Sequence, residues 1–166
     1  MNTDPWTESD DKKLNALLRH IRLVQDGCHL LAEKLIEQGR AHLGRLLIAQ
    51  SMSHDNSKFT GIEWQHMGAD AHGDELKLAM RQHVETNAHH PEFWSGFENI
   101  PELFLAELVC DLYARSQEFG TDLREYVEES FAPRYQIDVK GRNYKRMKGF
   151  IENLLNKPFK RPVLKK

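Results

Sequence analysis

Seven residues of this chain, in the order His20, His54-Asp55, His83, His89-His90 and Asp111, are of the types that hold a first-row divalent metal. Neutral imidazole nitrogens and carboxylate oxygens are the donors such an ion takes. A His-Asp pair alone is common; its recurrence with single and paired histidines across successive segments is what points to a metal site. Lys58, three residues beyond Asp55, offers a cation to a nonbridging phosphate oxygen, and Asp55 itself can orient or deprotonate a water. Glu63, Glu92 and Glu107 are candidate acceptors that would fix imidazole orientation from behind. Together these residues suit metal-assisted hydrolysis, in which a bound ion acidifies water and neutralises charge on a phosphoryl oxygen.

Helices must position these groups. Leu14, Leu17, Leu18, Ile21, Val24, Cys28, Leu31 and Leu35 recur at three- and four-residue steps, which predicts an amphipathic helix over residues 9–38 closed by Gly39. His20 lies on its apolar side, where a lone imidazole is costly unless something satisfies it. A second helix over 41–53 sets His54-Asp55 at its C-terminal end. A short helix over 62–67 and a third long one over 74–87 follow, the latter turning His83 inward beside Ala79 and Met80. Pro91 forces the chain out of helix, so His89 and His90 sit at a helix exit. Pro101 opens a helix reaching Phe119 and carrying Asp111 among Leu108 and Leu112. Further helices are predicted over 123–131, capped from Asp122, and over 142–155. Five to seven helices without a convincing strand make an all-α bundle. His29 points about half a turn from His20 and is not expected to be a ligand; His42, His66 and His72 fall at helix ends or loops and are expected to be exposed.

Charge is unevenly placed. Residues 1–133 carry 12 Lys+Arg against 23 Asp+Glu, and residues 134–166 carry 11 against 2. We therefore distinguish a helical metal-binding region, 1–133, from a basic C-terminal helix and tail, 134–166, expected to pack on the same domain. Tyr135, Tyr144 and Phe150 interleave with the basic residues as nucleic-acid stacking would require, but the same pattern describes a helix packed by Tyr144, Met147, Ile151 and Leu154 or Leu155, and that packing role is preferred. The 40% hydrophobic and 29% charged composition is that of a soluble protein, and no apolar run approaches the ~18 residues of a membrane span. The polar, acidic start lacks a secretory pattern, so a cytoplasmic location is expected. Cys28 and Cys110 fall in helical apolar patterns without CxxC spacing and read as buried thiols. Dinucleotide-binding, phosphate-loop and nucleophile-elbow glycine motifs are absent, so any nucleotide would be engaged through metal and Lys58.

The order of ligands resembles that of the HD-domain superfamily of metal-dependent phosphohydrolases, and His54-Asp55-Asn56-Ser57-Lys58 is similar to the His-Asp-x-x-Lys form of its central motif. The resemblance spans residues 14–119 and is nearest to an uncharacterised bacterial and phage branch with extra histidines. It implies an all-α bundle in which His20, His54, Asp55 and Asp111 hold one metal. It also implies, by analogy with dinuclear members, a second ion held by His83 with His89 or His90 and bridged by Asp55. His-His-Pro-Glu is similar to part of the cyclic-dinucleotide-cleaving pattern, but the Gly-Tyr-Pro that follows there is absent and His83 and His89 are closely spaced, so that substrate is not carried over. The expected activity is hydrolysis of a nucleotide or other small phosphate ester, with one or two ions among Mn, Fe, Co, Ni, Zn and Mg. Two alternatives stay open: a mixed-valent di-iron oxygenase of the same superfamily, and a non-catalytic module contacting nucleic acid or protein.

Overall fold

The structure is a computed structural model and describes residues 5–68 and 71–156. It is all-α, with no strand among the described residues. Helix α1 (Glu8–Glu37) starts at a reciprocal cap in which the Thr7 hydroxyl accepts from the Asp10 amide while the Asp10 carboxylate accepts from the Thr7 amide. α2 (Ala41–Ser51) folds back along it. α3 (Gly61–His66) and α4 (Gly73–Thr86) form a short pair, α5 (Glu102–Phe119) runs through the centre, and α8 (Arg142–Leu155) closes the bundle. Between α5 and α8, α6 (Leu123–Tyr126) passes through a π-helical stretch, Val127–Phe131, into α7 (Ala132–Arg134) without a break.

The core lies where α1, α5 and α8 meet. His20, Val24, Cys28, Leu31 and Leu35 are the buried stripe of α1, facing Leu105, Leu108, Val109 and Leu112 of α5. Close approach of these helices depends on Gly27: a Cβ there would stand 3.1 Å from the Tyr113 ring and 3.6 Å from Cys110. That contact lies beside Asp111 in the chain. Gly44 permits the same close approach for α2, since a Cβ would come within 2.9 Å of the Ala32 carbonyl oxygen. Cys28 and Cys110 are buried free thiols, as the apolar pattern predicts.

On α8, Tyr144, Met147, Phe150, Ile151 and Leu154 are buried, so the rings of Tyr144 and Phe150 belong to the core. Tyr135 is half-buried and donates from its hydroxyl to Glu92 at 3.0 Å. Asn143, fully buried, donates to the carbonyl oxygens of Phe97 and Ile100 at 3.0 and 2.9 Å. It thereby clamps the segment that follows His89 and His90 to α8, adding a side-chain donor to the Phe97 carbonyl, which also accepts from the Ile100 amide, and to the Ile100 carbonyl. Residues 157–166, including Pro158 and Pro162 of the basic tail, lie outside the described residues. No helix among the described residues is long and apolar enough to cross a membrane.

Candidate metal centre

His20, His54, Asp55, His83, His89, His90 and Asp111 converge on one buried volume. α1 supplies His20 from its buried stripe, α4 supplies His83 from its last turn, and α5 supplies Asp111. His54 and Asp55 leave α2 through a turn into the three-ten stretch Asn56–Phe59. Asp55 has φ 57°, in the left-handed region that a β-carbon disfavours by roughly 1–2 kcal/mol. Two consecutive side chains of a helix point about 100° apart; the left-handed residue turns the chain so that both enter the same space. The loop after α4 brings in His89 and His90 ahead of the three-ten turn Pro91–Trp94, and Trp94 pins it by donating to the Ala88 carbonyl at 2.7 Å.

Asp55 is the hub, and its two oxygens face different partners. Oδ2 stands 3.5 Å from His20 Nε2 and 3.6 Å from His54 Nε2, and Asp111 Oδ1 is 3.1 Å from His20 Nε2. Oδ1 stands 3.4 Å from His83 Nε2 and 3.6 Å from His89 Nε2, while His90 Nε2 is 3.0 Å from His83 Nε2. Ligand atoms that share one ion at about 2.1 Å stand about 3.0–3.4 Å apart, close to these separations. His54 Nε2, His89 Nε2, Asp55 Oδ1 and Asp111 Oδ1 are buried without a hydrogen-bond partner. Orphaned polar atoms in a dry interior are unfavourable unless something else satisfies them. The donor set therefore suits a metal ion.

Behind the inward-facing nitrogens stands a row of carboxylates. His54 Nδ1 donates to Glu107 at 2.9 Å and His83 Nδ1 to Glu63 at 2.9 Å. His20 Nδ1 lies 3.3 Å from Glu118, and His89 Nδ1 lies 3.6 Å from Glu107. An ionised carboxylate only accepts, so the bonds to Glu107 and Glu63 put the proton on Nδ1 of His54 and His83 and leave their Nε2 lone pairs for a metal. Glu63 is itself held by the Ser57 hydroxyl at 2.8 Å, and Asn87 donates to that hydroxyl at 3.0 Å.

Glu63 and Glu107 thus stand where they are expected. Glu92 does not: it is exposed on the three-ten turn and accepts from Tyr135, because a proline-initiated turn aims it away from the imidazoles. Glu118 and Arg115 were not foreseen from the sequence, although they lie seven and four residues beyond Asp111, on its side of α5; Arg115 Nη1 pairs with Glu118 at 3.0 Å. Lys58 Nζ reaches Asp55 Oδ2 at 2.5 Å. His29, exposed, bonds its own helix at Gln25 O, and His42, His66 and His72 lie away from the centre, His66 half-buried and the other two exposed.

Protonation divides the histidines. Burial presses His20 down, but its contacts with Asp111 and Asp55 outweigh this and raise it to about 9. Burial likewise opposes the charged form of His54, yet Asp55 and Glu107 raise it. Burial lowers His83, further helped by Lys58, and lowers His89 well below its usual range, helped by His54. His90 falls to about 4 through burial and the neighbouring His83. Despite burial, Asp55 and Asp111 are held well down by the histidines around them.

In the metal-free chain, His20 favours the folded state below its unfolded value of 6.5, and that contribution is lost as pH rises through about 9. His90 has the opposite sign. Between 6.5 and about 4 the unfolded chain holds more protons, so stability falls with falling pH. Thermal unfolding in chelator should therefore give a Tm peaking near pH 6.5, with His20 alone worth roughly 3 kcal/mol on the alkaline limb and His90 alone about as much on the acid limb. Bound metal, which replaces the proton on His20, should lift the alkaline limb; a flat profile in both states would contradict these assignments.

A cleft of about 1180 Å³ opens beside the centre and reaches it at His20 and Lys58, with Arg115 and Glu118 on its wall.

The profile of one protein family, described as a family of unknown function (DUF5662), matches residues 9–157. No curated protein and no solved structure matches the chain.

Proposed function

The chain belongs to this family of unknown function, and from its site we propose that it is a metal-dependent phosphohydrolase of HD type acting on a nucleotide or other small phosphate ester. The observation that carries the proposal is the placement of Asp55, whose Oδ2 faces His20 and His54 and whose Oδ1 faces His83 and His89, in a buried cluster where several ligand atoms have no hydrogen-bond partner. His20, His54, Asp111 and Asp55 Oδ2 would hold one ion; His83, His89, His90 and Asp55 Oδ1 would hold a second. When bound, divalent ions supply Lewis acidity that polarises a phosphoryl oxygen and acidifies water.

The protein's own groups do the rest. Glu107 and Glu63 would keep His54 and His83 in one tautomer and one orientation, so that these donors need not reorganise during reaction. Asp55, held ionised by the surrounding histidines and Lys58, is too weak a base to take a proton and instead orients the attacking water. Lys58 lies on both the centre and the cleft wall, where its ammonium can meet a nonbridging phosphate oxygen. Burial of the whole set strengthens each of these electrostatic contacts relative to water.

The test is metal content by mass spectrometry on protein purified without added metal, followed by phosphate release from a panel of phosphate esters. About two equivalents together with release would support the dinuclear reading, and about one would reduce it to a mononuclear phosphohydrolase. Iron with an oxygen-sensitive paramagnetic signal and no release would replace it with the oxygenase. No metal after reconstitution with Mn, Fe, Co, Ni and Zn would leave a binding module.

A further inference from the structure

The cleft is larger than a phosphate needs. Its volume of about 1180 Å³ exceeds the roughly 300–1,000 Å³ of most small-molecule pockets. Its chemistry changes along its length. The end near the metal donors carries Lys58 and Arg115, and the lining as a whole has five cationic side chains against two acidic ones. Both acids are already engaged, Asp10 with Thr7 and Glu118 with His20 and Arg115. Three of the cations are engaged as well, Lys12 with Glu8, Lys58 with Asp55 and Arg115 with Glu118, so the positive excess that would favour an anion comes from Lys13 and Arg19.

Elsewhere the wall is aromatic and apolar. Trp64 is next to Glu63 in α3, and Trp6 is supplied by the segment that precedes α1. Their rings stack on each other, at 5.9 Å between centroids and 18° between planes, so the two indoles border the cleft as a stacked pair. Lys13 holds the wall in place, donating to the Trp64 carbonyl oxygen, with its ammonium 4.8 Å from the ring centroid. Trp6 is 58% exposed and tied at its indole nitrogen to Asp11 at 2.8 Å. Its exposed ring borders the same cleft as Lys58 and Arg115.

We propose that Trp64 and Trp6 form a ring-recognition subsite, so that the cleft takes a phosphate ester whose organic part is a planar aromatic ring system. This deepens the phosphohydrolase reading and rests on it for the position of the phosphate. The phosphate lies toward Lys58 and Arg115 and the ring lies against the indoles. Trp64 and Trp6 are specificity residues, remote from the bond that breaks.

The experiment is equilibrium dialysis of the full chain in chelator, where turnover cannot compete, with adenosine 5′-monophosphate and ribose 5-phosphate as probes. The two probes share phosphate and sugar and differ in the ring. The nucleotide should bind roughly 5- to 100-fold more tightly, the value of a base stacked on an aromatic side chain. Trp64→Leu should remove that advantage and leave ribose 5-phosphate unchanged. Trp6→Ser, at an exposed position outside the core, should reduce the advantage and serves if Trp64→Leu does not fold. Equal binding of the two probes, or a nucleotide advantage that survives a folded variant at either position, would overturn the subsite. Ring-dependent binding without phosphate release from the metal-loaded protein would retain the subsite and reject the hydrolase, so the two failures are separable.

Discussion

Asp55→Ala and Asp55→Asn are expected to abolish phosphate release, by about 10³-fold or more, and to strip bound metal. Partners that merely orient a ligand are worth 10- to 100-fold in affinity or activity. Asp55 faces both donor groups directly, so losing its charge weakens both at once. The asparagine variant is the cleaner of the pair: it keeps the volume, and asparagine tolerates the left-handed backbone found here at φ 57°. Both variants leave Lys58 without its carboxylate, so circular dichroism and a thermal scan in chelator should accompany the assay. Turnover retained by two folded variants would remove Asp55 from the mechanism and, with it, the case for a shared carboxylate.

Metal itself should stabilise the fold by a large margin. An ion present at 1,000 times its Kd contributes about 4 kcal/mol to the folded state. For a chain of this size each kcal/mol moves Tm by about 2–4 °C. One ion is thus expected to raise Tm by about 8–16 °C over protein in chelator, and two by about twice that. The gain comes from satisfying buried atoms that otherwise have no partner, among them His54 Nε2, His89 Nε2 and Asp55 Oδ1. Substituting His83 and His90 by alanine together should remove about half of the gain, because they belong to the group facing Oδ1. A Tm indifferent to Mn, Fe, Co, Ni and Zn would mean the cluster holds no ion.

The helices were largely legible because burial imposes a period. Residues 142–155 follow from Tyr144, Met147, Ile151 and Leu154, and α1 from its leucine stripe, each within a residue or two of the observed ends. The stretch after Asp122 was legible only as helix. Leu123, Val127 and Phe131 are buried four apart, a spacing that does not register the shift from α to π winding. Among the site residues, the candidate ligands were legible by type, since histidines on apolar faces need a partner. Their supporting carboxylates were not separable: Glu63, Glu92 and Glu107 look alike in sequence, and only the orientation of the turn at Pro91 sends Glu92 to solvent. Glu118 was missed because an acidic residue near the end of an amphipathic helix ordinarily faces water, and here it faces His20. The cleft was illegible altogether, being assembled from Trp6, Trp64 and Arg115, which no local pattern connects.

The clamp made by Asn143 ties the candidate centre to a helix that supplies none of its clustered donors. It secures the carbonyls of Phe97 and Ile100, just beyond the loop that presents His89 and His90. A change at Asn143 would therefore reach those two histidines through the backbone alone, with all seven donors left in the chain.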